Sequence, residues 1–198
     1  MIVWLSRKLA GAMVDAGTVM TENREVYEYG LEILLSTAAS VVCLMLAGAV
    51  LGRLTETIVF LAVFIALRSV AGGFHASTHM RCFLVMMGAY AAAITLLHVT
   101  PAASAGWVGM AVAALAFVVV AVFAPAPHEN RPAGASELRK FRVMSLLIGA
   151  TEAATVAILT AFGLAAAALV AAMGMAASAG SLVASHLAYK KLEPKHRL

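Results

Sequence analysis

A chain of 198 residues that is 63% hydrophobic and 12% charged, with a mean hydropathy of +0.94, carries more apolar surface than one water-soluble domain can bury. Its net charge of +4 comes from basic residues scattered singly between apolar runs, not from the continuous patch that a nucleic-acid surface needs. The class that remains is an all-α, polytopic integral membrane protein, in which each crossing takes about 20 apolar residues.

The first residues, MIVWLSRKLAGAMVDAG, hold an apolar run too short for the core of a signal peptide. Ile2, Leu5, Leu9 and Ala12 or Met13 recur at helical spacing, with Ser6, Arg7, Lys8 and Asp15 elsewhere, which predicts an amphipathic helix lying in the membrane surface. Apolar windows then predict six spans, near 32–51, 55–70, 83–100, 106–123, 143–162 and 164–188. The expected organisation is one membrane-embedded domain over 1–198, with a cytoplasmic or interfacial segment at 1–30, the bundle at 32–188 and a cytoplasmic tail at 189–198. The second span is short and ends with Arg68, whose stem can reach the headgroups, so it is expected to tilt or to sit partly in the protein interior.

Six crossings put both termini on one side, and of the fourteen Lys and Arg residues only Arg53 then falls opposite. Positive charge is retained inside, so both termini and the loops near 71–82 and 124–142 are expected to be cytoplasmic. In the last span Gly174 and Ser178, and Ala177 and Ser181, are small residues four apart that let helix backbones approach closely. Packing within the bundle is the simpler reading and a dimer seam the other.

The segment RSVAGGFHASTHMRCF, at 68–83, gathers most of the reactive chemistry. A cysteine peptidase needs a thiolate as nucleophile and an imidazole that takes its proton and returns it to the leaving amine. In one regular helix His75 and Cys82 would stand about 10 Å apart along the axis, so the backbone between them must bend. Gly72 and Gly73 permit a break, and a helix beginning near Ser77 or Thr78 would fold His75 back toward Cys82. Glycine N–H groups there would be free to bind an oxyanion.

Spacing alone favours His79, three residues before Cys82 on a helix, as the base. It also admits another chemistry, because His75, His79 and Cys82 form an H-x3-H-x2-C pattern able to bind zinc. Arg68 and Arg81 supply positive charge beside the thiol, or a fork for a substrate carboxylate or carbonyl, besides their role in topology. Cys43, inside an apolar run, reads as an inert thiol not paired with Cys82. Glu152, in mid-span, must find a partner on a neighbouring helix or line a polar cavity, which keeps a small-solute transporter among the alternatives. No internal symmetry of the kind carriers show accompanies it.

Three stretches, YEYGLEILLS at 27–36, LRSVAGGFHASTHMRC at 67–82 and FAPAPHENRP at 123–132, together resemble the accessory gene regulator B (AgrB) family, membrane peptidases of bacterial peptide quorum sensing. The most specific element is an Arg, then Gly-Gly-aromatic-His, then a Cys seven residues after the His, here Arg68, Gly72, Gly73, Phe74, His75 and Cys82. The resemblance implies that His75 and Cys82 are the catalytic pair; His79 is not part of the family pattern, and Arg68, Gly72, Gly73, His79 and Arg81 are expected to bind substrate or shape the site. It also implies a cysteine endopeptidase without cofactor or metal, acting as a homodimer in the bacterial cell membrane with its active site cytoplasmic. The substrate it implies is a short AgrD-like precursor, which loses its acidic C-terminal tail through an acyl-thioester on Cys82 and is closed into a thiolactone or lactone.

Overall fold

A computed structural model of the protein describes residues 2–73, 79–126 and 134–192. Every regular element among them is helical: α1 (Ile2–Asp15), a 3-10 turn (Thr21–Asn23), α2 (Arg24–Val50), α3 (Leu54–Ala71), α4 (His79–Val99), α5 (Ala102–Phe123), α6 (Ala135–Ala161) and α7 (Ala165–Leu192). The six helices α2 to α7 are each long and apolar enough to cross a bilayer, so the chain is an all-helical, multi-pass membrane protein.

The helices outrun the apolar windows at their charged ends. α2 begins at Arg24 instead of near 32, and α6 at Ala135 instead of near 143. A hydropathy window finds what lipid can cover, whereas Arg, Glu and Lys are themselves good helix formers. The ion pair from Arg24 to Glu28, one turn apart at 2.8 Å, supports such an extension beyond the apolar window.

Two compact units make up the chain, Met1–Ala47 and Gly48–Leu198. In the first, the expected N-terminal helix is present as α1, with Ser6 and Ala10 buried and Val3, Trp4, Leu5 and Leu9 exposed. In the second, α7 is the most buried of the six candidate spans, and the core forms where Leu67 and Ala71 of α3, Ala113, Ala116 and Val120 of α5, and Val156 of α6 meet Ala168, Ala172, Met175, Ala179 and Leu182 of α7. Small side chains let α7 take neighbours on several sides. A β-carbon on Gly109 of α5 would lie 3.1 Å from the Leu169 backbone, and one on Gly174 would lie 2.9 Å from the Phe60 carbonyl oxygen of α3. Lipid offers no hydrophobic drive between helices, so this close van der Waals contact is what holds them.

Polar groups inside the bundle are mostly paired. Thr57 donates to the Arg53 carbonyl at 2.8 Å and lies 2.6 Å from the Tyr90 hydroxyl, which therefore donates to Thr57 and ties α4 to α3. Glu152 is the exception: it is buried on α6, yet neither carboxyl oxygen has a hydrogen-bond partner among the described residues. The partner expected on a neighbouring helix is not found there. Leaving a buried polar group unpaired costs about 1–3 kcal/mol, so Glu152→Leu, close in volume, should raise the thermal midpoint of the detergent-purified protein. A lower midpoint in that variant would mean that the carboxyl has a stabilising partner.

Candidate functional site

α3 stops at Ala71 because the next two residues leave helical space, Gly72 with φ 71° and ψ −155° and Gly73 with φ 143°. Only glycine takes up such values without strain. The break falls where the sequence predicts it. It lets the Arg68 side chain, one turn back, reach past the end of its own helix: Nη1 donates to the Gly72 carbonyl at 3.2 Å and to Ser181 Oγ on α7. Gly73 lies directly against this contact, and a β-carbon there would overlap both Arg68 Nη1 and Ser181 Oγ. The guanidinium is thus held by protein groups and does not depend on snorkelling to the headgroups.

α7 reaches Arg68 through a matched register. Gly174 packs on Phe60 and Val63, Ser178 Oγ donates to the Phe64 carbonyl at 3.1 Å, and Ser181 accepts from Arg68, so the small face of α7 runs along α3 in the same chain direction. The closely spaced small residues serve packing inside the bundle, as the simpler sequence reading holds. That reading misses Ser181 as a site residue, because a serine at a small-residue position looks the same whether its hydroxyl is used or idle.

On the other side of the break, the described part of α4 runs from His79, and its first turn contains His79, Arg81 and Cys82; the start expected near Ser77 or Thr78 lies outside the described residues. Cys82 is half-buried with a free thiol, and Arg68 is within electrostatic reach of it. Cys43, on α2, is a free and exposed thiol. His75 lies outside the described residues, and with it the distance on which both the dyad and the zinc reading depend.

A third segment closes the site from the side of α5. The Ala126 N–H donates to the Ala71 carbonyl at 2.9 Å, and Ala126 Cβ would lie 3.5 Å from a β-carbon on Gly72. Arg142 of α6 donates to the Ala121 and Ala124 carbonyls, at 3.3 and 3.4 Å, and so satisfies the open end of α5. Within the stretch 123–132, the described part therefore fastens the end of α5 to the end of α3. Phe123 packs edge-on against His186 of α7, 5.1 Å between ring centroids.

Among the described residues, one end of the bundle of this multi-pass helical membrane protein thus carries a Gly-Gly break, a guanidinium held by protein groups and the Cys82 thiol on the next helix. The family model for Accessory gene regulator B matches residues 6–182, and the chain belongs to that family, whose members process quorum-sensing peptides. No curated protein and no solved structure matches the chain.

Proposed function

We propose that the protein is a cysteine endopeptidase that cleaves the C-terminal tail from a short AgrD-like peptide precursor and promotes its cyclisation, with His75 and Cys82 as its catalytic pair. The observation that carries this reading is the break at Gly72 and Gly73 followed by a helix whose described start, His79–Cys82, presents Cys82 near Arg68. His75 takes the Cys82 Sγ proton, and the thiolate attacks the carbonyl before the tail. The C–N bond breaks as His75 protonates the departing amine, leaving an acyl-thioester on Cys82. A Cys or Ser of the precursor then attacks that carbonyl, the ring closes, and Cys82 leaves and regains its proton. A position at the membrane boundary keeps water from competing for the thioester. The bias of Lys and Arg supports an arrangement with both termini and the site in the cytoplasm, where an acidic tail would be attracted. The active form in this reading is a homodimer.

The test is thiol alkylation at neutral pH in detergent-purified protein, with Cys43 as internal reference. Cys82 should react about tenfold faster or more than Cys43, and His75→Ala should remove the difference while His79→Ala leaves it. If Cys82 reacts only after chelation, and both histidine changes free it, the residues form a zinc site and the peptidase reading falls.

A further inference from the structure

The N-terminal unit contains a charged cleft that the processing chemistry does not use. It is a cavity of about 450 Å³ lined by Arg7, Lys8, Gly11, Val14 and Asp15 of α1 and by Arg24 at the start of α2. Three cations against Asp15 leave the lining net positive. Glu28 stands behind two of them, 2.8 Å from Arg24 Nε and 3.8 Å from Arg7 Nε. It thereby holds Arg24 by its inner nitrogen and stands in looser ion-pair reach of Arg7, and the outer nitrogens of both have no partner among the described residues. Arg24 Nη2 extends over α1, 4.0 Å from where a Gly11 β-carbon would be, so a long side chain at this position would project into the cleft. The Lys8 ammonium lies 5.1 Å from the Trp4 ring centroid.

The opposite side of α1 indicates what the cleft meets. At 100° per residue, Leu5 and Leu9 stand away from Arg7 and Gly11, and both are exposed. A helix of this kind sinks its apolar side roughly 5–10 Å into the boundary of headgroups and acyl chains, which sets its polar side at the level of the phosphates. Planar guanidinium groups suit a phosphate oxygen pair.

We propose that Arg7, Lys8 and Arg24 form a binding site for the phosphodiester headgroup of an anionic phospholipid, docked between α1 and the start of α2. The experiment uses the full chain carrying Trp107→Phe, which leaves Trp4 as the sole tryptophan and a reporter beside Lys8. Short-chain phosphatidylglycerol in neutral detergent should change Trp4 fluorescence saturably, with half-saturation about tenfold below that for phosphatidylcholine of equal chain length. Arg7→Gln and Gly11→Leu, which leave the Arg24–Glu28 pair in place, should each remove that preference, the first through charge and the second by filling the cleft. Equal response to the two lipids overturns the proposal. So does inorganic phosphate matching phosphatidylglycerol, which would make free phosphate the ligand, or displacement of the lipid by hexaglutamate, which would make it an acidic peptide.

Discussion

Cys82→Ala should lower precursor cleavage by about 10³-fold or more, measured as released tail by mass spectrometry in proteoliposomes with a synthetic precursor. The thiol is the only group proposed to form a covalent bond to substrate, so no neighbour can replace it. His75→Ala should cost nearly as much, because a thiol without its base is a weak nucleophile and the departing amine needs a proton. The informative variant is the double one. Groups that act as a unit lose their contribution once, so Cys82→Ala with His75→Ala should be no slower than the worse of the two single changes. If the two losses multiply instead, the residues act independently and the dyad assignment fails. Cys43→Ala, at an exposed position on α2, should process at the wild-type rate.

Gly73→Ala should lower the same activity about 100-fold, although the side chain it adds is a single methyl group. At φ 143° an L-residue is strained, and the added β-carbon would overlap Arg68 Nη1 and Ser181 Oγ, so the guanidinium must leave its place. The accompanying changes separate position from bulk. Ser181→Ala removes one acceptor but leaves the Gly72 carbonyl, and should cost about tenfold or less. Arg68→Ala should match Gly73→Ala, and combining the two should add little. If Gly73→Ala is slow while Arg68→Ala is not, the glycine matters through the backbone alone and Arg68 is not part of the machinery.

Much of this arrangement is legible in the residues themselves. Apolar windows mark the six spans because a helix satisfies its own backbone within lipid, and the double glycine marks the end of α3 because nothing else in that stretch frees the chain from helical space. The charged helix ends are less legible, since Arg24, Glu25 and Glu28 fall outside a hydropathy window while remaining good helix residues. Ser181 is illegible for a different reason. Its role depends on the register between α3 and α7, helices far apart in sequence, and local pattern carries no information about register. Glu152 shows the reverse: its presence signals an expensive group, but only the packed bundle shows that no hydrogen-bond partner stands beside it among the described residues.

The parallel register of α3 and α7 makes the chain length between fixed points a working dimension of the protein. Phe60 to Arg68 on one helix and Gly174 to Ser181 on the other act as paired rulers, zeroed where Gly174 meets the Phe60 carbonyl and read where Ser181 meets Arg68. Adding one residue to either ruler rotates everything beyond it by about 100° and shifts it by about 1.5 Å, which turns the reading mark away from its partner. The bundle can therefore vary freely in side-chain identity on its lipid faces, but these two intervals have a fixed length, and the site inherits its precision from counting.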